Sequence, residues 1–186
     1  ILAQRRFKLS GILNGIDVEN YNPETDKNIF ANYNAEDVSA KKINKAELQK
    51  MFNLPVKERT PVVGLVTRLV SHKGLDLIKV ILDELLATTN IQFVVLGSGD
   101  WQYEEFFKEM AARYPEQIGL RIGFVPDLAR KIYAGADIFL MPSKSEPCGL
   151  SQMVALRYGT IPIVRETGGL KDTITDSGDN EGNGFT

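Results

Sequence analysis

The chain has 186 residues, 43% hydrophobic and 25% charged, and a formal net charge of −2 at pH 7. That is ordinary for a soluble globular protein with room for a sizeable core, and the charge gives no reason to expect nucleic-acid binding. A single cysteine, Cys148, excludes an internal disulfide, no Cys/His cluster suggests zinc, and no apolar run nears the roughly 18 residues of a membrane span.

The start, "ILAQRRFKLSG", has no initiator Met and no signal-peptide pattern, and the end, "DNEGNGFT", stops in a glycine-rich turn. Both ends read as cut, so the expectation is an excised piece of a longer protein. Residues 1 to about 58 are polar and rich in Asn and Lys, with turn signals at "LNGID" (13–17) and "YNPETD" (21–26). Residues 41–53 predict a helix with Ile43, Leu48, Met51 and Phe52 as its apolar positions, stopped by Pro55.

From Pro61 the rhythm changes. Short apolar runs recur at 61–66, 91–97, 120–125, 137–142 and 161–164. Helical segments lie between them: Leu75, Ile78, Leu82 and Leu85 share one face, and further helices are expected at 102–114, 127–134, 149–158 and 169–174. Continuous apolar strands imply a sheet covered on both faces. The expected fold is therefore α/β, a Rossmann-like doubly wound parallel sheet, with ligands at the carboxyl ends of its strands.

The loops after those strands carry the candidate chemistry. "TRLVSHKGLDLI" (67–78) puts Arg68 and Lys73 where a helix opens, which suits a phosphate or equally describes a solvated loop. His72, the only histidine, has no partner in the sequence for metal binding or base catalysis. "LGSGDW" (96–101) reads as a tight turn with Trp101 packed near the helix start, because G-x-G alone is weak evidence of a dinucleotide site. In "GFVPD" (123–127), Asp127 is an N-cap candidate, and Phe124 reads as core by pattern, with base stacking as the alternative.

"PSKSEPCGLSQ" (142–152) holds Glu146 and Cys148 before a helix expected to start at Gly149, with Leu150, Met153, Val154 and Leu156 available for packing. The first N–H groups of that helix suit an anion, and a carboxylate beside them suits sugar hydroxyls. Without a paired His, Cys148 reads as a small residue in a turn rather than a nucleophile. "RETGGLKD" (165–172) is a further glycine turn able to approach a diphosphate.

Together, "GILNGIDVENYNPETD" (11–26), "TRLVSHKGLDLI", "LGSGD", "ADIFLMPSKSEPCGLSQMVALRYGTIPIVRETGGLKDT" (136–173) and the terminal "GF" resemble the C-terminal domain of bacterial glycogen synthases and plant starch synthases. The resemblance implies the donor-binding half of a two-domain GT-B glycosyltransferase. That family transfers glucose from ADP-glucose, with retention, to the nonreducing end of an α-1,4-glucan. By resemblance, Glu146, Arg68 and Lys73 are the catalytic candidates. Arg68 and Lys73 match the diphosphate pair, and Glu146 the holder of donor-glucose hydroxyls. The backbone of Cys148, Gly149, Leu150 and Ser151 matches a sugar–phosphate cradle. Phe124 sits where the family places a ring against adenine, and Asn14 near the sugar. His72 stands where close relatives carry Gln. Val154 stands where many retaining transferases carry a second Glu, which favours the glycogen/starch synthase branch.

The implied division is a crossover segment at 1–20, a polar loop and helix at 21–58, and the nucleotide-sugar domain at 59–186. No cofactor and no metal are expected. The α-1,4-glucan acceptor is expected to bind mainly through an N-terminal domain outside this sequence, which carries a Lys-x-Gly-Gly motif and acid and His groups. No nucleic-acid or membrane partner is expected, and the setting is the cytoplasm of a bacterium or the plastid of a plant. The chain alone is expected to bind nucleotide without turnover. A UDP-glucose or other nucleotide-sugar donor, or a noncatalytic nucleotide-binding module, are the alternatives. An NAD-dependent dehydrogenase is disfavoured because the glycine fingerprint and ribose-binding acid are missing at the first strand.

Overall fold

A computed structural model describes residues 3–178 and 181–186; Ile1 and Leu2 of the crossover segment and Asp179 and Asn180 of the terminal turn lie outside the described residues. Five strands, β1 (Val62–Val66), β2 (Gln92–Gly97), β3 (Ile118–Ile122), β4 (Ile138–Met141) and β5 (Ile161–Val164), form one parallel sheet in the order β3-β2-β1-β4-β5. The helices are α1 (Lys41–Met51), α2 (Leu75–Thr88), α3 (Trp101–Arg113), α4 (Pro126–Gly135), α5 (Ser151–Arg157) and α6 (Gly168–Thr173).

Both faces of the sheet are covered, as the unbroken apolar strands require. On one face Val63, Leu65, Phe93 and Val95 meet Leu75, Ile78, Leu82 and Leu86 of α2 and Tyr103, Phe107 and Met110 of α3. On the other, Val62, Val94 and Leu96 meet Leu48 of α1 and Ile132 and Ala136. The alternation of Val62 and Val63 between the two cores is the strand period of two.

Several expected details differ. In α1 the buried residues are Asn44, Lys45, Leu48 and Gln49, while Ile43 and Met51 are exposed. Most of the buried polar atoms are hydrogen-bonded: Asn44 to the backbone of Phe30 and Ala31, Lys45 to the Glu58 carbonyl and Asp137, and Gln49 through Nε2 to Gln92, with Gln49 Oε1 left unpaired. A face that brackets loops does not need an apolar stripe. In α2, Leu86 rather than Leu85 is buried. Trp101 is exposed because α3 is anchored by Tyr103 two positions on, about 200° round the helix. Pro126 occupies the first turn of α4, so Val125 is the N-cap and Asp127 lies inside the helix. Gly149 takes a left-handed φ of 69°, outside the helix; α5 begins at Ser151 and Leu150 is exposed.

Residues 21–58 pack onto the sheet rather than standing apart from it. Ile29 and Tyr33 join Tyr133, Phe139, Val154 and Tyr158 in a shared core. Asp26 anchors this segment: it accepts a short hydrogen bond from Tyr158 Oη and an ion pair from Arg130 at 3.1 Å. Burial alone would raise the Asp26 pKa. Hydrogen bonds from Tyr158, the Asn28 N–H and Arg130 outweigh it and hold the carboxyl below its usual range. A depressed carboxyl contributes stability above its unfolded-state pKa of about 3.9, and that contribution is lost as pH falls through the folded value. Stability followed by urea unfolding should therefore drop on acidification below about pH 4, and the drop should be shallower in Asp26→Asn.

Candidate functional site

The chain runs outward from β1 through β2 to β3, then returns to β4 on the other side of β1. The loops after β1 and β4 therefore diverge, and a crevice opens above their carboxyl ends. Arg68 and Lys73 come from the first of these loops, Glu146 and Cys148 from the second.

The β1 loop runs against the β2 loop, with Leu69 N–H donating to the Ser98 carbonyl at 2.9 Å and Asp100 N–H to the Leu69 carbonyl at 2.8 Å. A Cβ on Gly97 would lie 2.0 Å from the Thr67 oxygen, and one on Gly99 2.4 Å from the Leu69 oxygen. These glycines let two backbones pass, which is the tight-turn reading of "LGSGD". Ser71–Lys73 form one 3-10 turn that ends at Gly74.

The β4 loop is clamped from both sides. Lys144 N–H donates to the His72 carbonyl at 2.9 Å, and Gly169 N–H to the Glu146 carbonyl at 2.9 Å. A Cβ on Gly74 would lie 1.9 Å from the Pro142 oxygen, and one on Gly168 2.1 Å from the Glu146 oxygen. Both glycines also have positive φ, 74° and 46°. Backbone contact on both flanks leaves the loop little freedom.

Held there, Glu146 Oε2 meets Lys73 Nζ at 2.5 Å and accepts from Ser143 Oγ at 3.3 Å. Only 14% of the Lys73 side chain and 11% of the Glu146 side chain are exposed. Arg68 is exposed, with Nη2 3.4 Å from His72 Nε2. The Cys148 thiol is turned onto the Gly149 carbonyl at 3.3 Å, away from any nucleophilic arrangement.

A cleft of about 570 Å³ is walled by Arg68 of the β1 loop and by Ser98, Phe124, Tyr21, Arg130 and Ser151 among others. Phe124 is 89% exposed on its rim, which overturns the core reading of that residue. Gly123, at φ 137°, turns the chain out of the sheet and leaves the ring outside it. Lys73 and Glu146 sit outside the walls of this cleft, as does Asn14, which lies on exposed coil.

Sequence reasoning missed Tyr21 and Arg130. The Arg130 guanidinium lies 4.5 Å from the Tyr21 ring centroid and donates to the Asn20 carbonyl at 2.6 Å. Tyr21 lies in a turn signal and Arg130 within an expected helix, and no motif marks either. Among the described residues no group of three or more His, Cys, Asp or Glu is placed to hold a metal ion, and no helix is long and apolar enough to cross a membrane.

Such a site combines cations at a switch point, a carboxylate able to accept from hydroxyls, and an exposed ring beside a cleft of small-ligand size. The family model for group 1 glycosyl transferases matches residues 46–186. The chain belongs to this family.

Among members of the family, the chain is 55% identical over its full length to a glycogen synthase of Desulforamulus reducens and 54% identical to one of Pseudothermotoga lettingae. It spans 39% and 38% of those proteins, about two fifths of their length. The catalytic domain of starch synthase IV from Arabidopsis thaliana, bound to ADP and acarbose, superposes with a TM-score of 0.88 at 40% identity, over 97% of this chain and 37% of that one. The C-terminal domain of a group 1 glycosyl transferase from Francisella tularensis shares the fold, with a TM-score of 0.60 at 20% identity over 92% of this chain and 78% of that one. The α/β fold expected from the strand and helix pattern, and the glycosyltransferase type implied by the resemblance, are thus those of this chain.

Proposed function

We propose that this chain is the donor-binding part of a retaining glycosyltransferase that moves glucose from ADP-glucose to an α-1,4-glucan. The observation that carries the reading is the Lys73–Glu146 pair, held at the switch point between two loops that glycines lock together. The full-length similarity to glycogen synthases supports the glucan, and the starch synthase neighbour bound to ADP supports the adenine nucleotide. The bacterial relatives favour a bacterial cytoplasmic enzyme over a plastid one.

The chemistry follows from charge. The leaving nucleoside diphosphate gains negative charge as the glycosidic bond breaks. Lys73 has three N–H donors, so it can keep Glu146 and still take a diphosphate oxygen, and Arg68 offers a planar fork beside it. A well-placed donor of this kind contributes about 3–4 kcal/mol to the transition state. Glu146, oriented by Lys73 and Ser143, accepts hydrogen bonds from glucose hydroxyls. Phe124 stacks on the base from the rim of the cleft. The acceptor glucan and the groups on the far side of the sugar belong to parts of the protein beyond this chain.

Calorimetric titration tests the reading. ADP should bind this chain at least about tenfold more tightly than UDP or NAD, and the chain alone should not add glucose to glycogen. Tighter binding of UDP or NAD would overturn the donor assignment, and incorporation by the chain alone would overturn the division of labour.

A further inference from the structure

Gln152, in the first turn of α5, is fully buried. Its Nε2, with two N–H groups to share, lies within hydrogen-bonding distance of three oxygens: the Cys148 carbonyl at 3.1 Å, the Gly149 carbonyl at 2.9 Å and Thr173 Oγ1 at 3.0 Å. No peptide bond in the described residues is cis. In a trans peptide the carbonyl and the following N–H point in opposite directions. With both carbonyls drawn inward to one amide, the N–H groups of Gly149 and Leu150 face the other way. Neither finds an acceptor among the described residues.

The local backbone fits that arrangement. Gly149 has φ 69°, and Leu150 follows with φ −113° and ψ −30°. Successive residues of opposite hand turn neighbouring N–H groups toward a common point, a concavity that receives anions. The loop has no slack to leave it: a Cβ on Gly169 would lie 2.1 Å from the Cys148 oxygen, and one on Gly149 2.6 Å from Gln152 Oε1.

A second observation concerns the other end of the same amide. Gln152 Oε1 is buried without a hydrogen-bond partner. Stability alone disfavours an unpaired buried carbonyl, and an apolar side chain of similar length would avoid it. Gln49 Oε1 is unpaired in the same way, so what distinguishes Gln152 is the set of loop oxygens around its Nε2.

We infer that Gln152 is a positioning residue. It turns the Cys148 and Gly149 carbonyls inward so that the N–H groups of Gly149 and Leu150 grip an oxyanion of the bound nucleotide sugar. The inference rests on the donor-binding reading of this loop and assigns the side chain that shapes it.

The test uses pyrophosphate, which carries neither base nor sugar. In ¹H–¹⁵N spectra of the chain, pyrophosphate should move the Gly149 and Leu150 amides more than any outside the Arg68–Lys73 loop. Gln152→Met should weaken pyrophosphate by about tenfold or more. Asn44→Asp disturbs an equally buried amide network remote from the loop and should leave pyrophosphate affinity within about twofold. The inference is overturned if the two amides do not move, if folded Gln152→Met binds like the parent chain, or if Asn44→Asp weakens binding as much. If pyrophosphate behaves as expected but ADP binds no tighter than UDP or NAD, the donor reading falls and the role of Gln152 stands.

Discussion

Replacing Glu146 by Gln in the whole glycosyltransferase should lower kcat by about 10²–10³-fold. The amide keeps the size of the carboxylate but loses its charge and half of its accepting capacity, so under the proposed function a glucose hydroxyl and Lys73 can no longer share it. Glu146→Ala should be at least as severe in turnover and worse in stability. It leaves the Lys73 ammonium, with 14% of its side chain exposed, without its partner, and breaking a buried pair from one side typically costs about 3–5 kcal/mol. Cys148→Ser is the control from the same loop. A hydroxyl can replace the thiol as donor to the Gly149 carbonyl, so turnover should stay within about threefold of the parent enzyme. Glucose incorporation into glycogen, measured beside thermal unfolding, separates these outcomes. A loss in Cys148→Ser as deep as that in Glu146→Gln would show that the thiol takes part in the chemistry.

Gly74→Ala should be the most damaging backbone change near the site. Two costs add there. The left-handed φ of 74° is unfavourable for a residue with a Cβ, and that Cβ would sit 1.9 Å from the Pro142 oxygen. Either the turn or the β4 loop must move, for an expected loss of about 3–5 kcal/mol and roughly 10 °C in Tm. Gly159→Ala isolates the first cost. Its φ of 67° is nearly the same, but the nearest outside atom is Lys41 Cδ at 4.0 Å. A loss of only about 1–2 kcal/mol is expected there. Equal Tm shifts by calorimetry would mean that the loops are not in contact as described. ADP affinity should fall in Gly74→Ala and hold in Gly159→Ala, because only the first displaces the loop that carries Lys73.

The two sets of variants probe what could and could not be read in advance. Glu146, Arg68 and Lys73 stood out as candidates because they are charged residues in loops after apolar strands, and the family resemblance, not the loop pattern, proposed their roles. Gly74 did not. The need for glycine there comes from Pro142, 68 positions along the chain. The same limit explains the polar face of α1. Asn44 and Gln49 are buried because Ala31 and Gln92 meet them, and no period within residues 41–51 reports those partners.

The sequence by itself determined the alternation of strands and helices, the coverage of both sheet faces, and the loops that could bind an anion. Those properties follow from local periodicity and from glycine, proline and charge at strand ends, all read within a dozen residues. Only the tertiary structure decided which loops meet. The order β3-β2-β1-β4-β5 brings the loops after β1 and β4 together at one crevice. It turns Phe124 outward, recruits Tyr21 and Arg130 to the cleft, and sets Gln152 behind Gly149. The physical reason is separation along the chain. Lys73 meets Glu146 across 73 positions, and Tyr158 meets Asp26 across 132. Contacts of that kind depend on how strands pair, and strand pairing leaves no periodic trace in either partner.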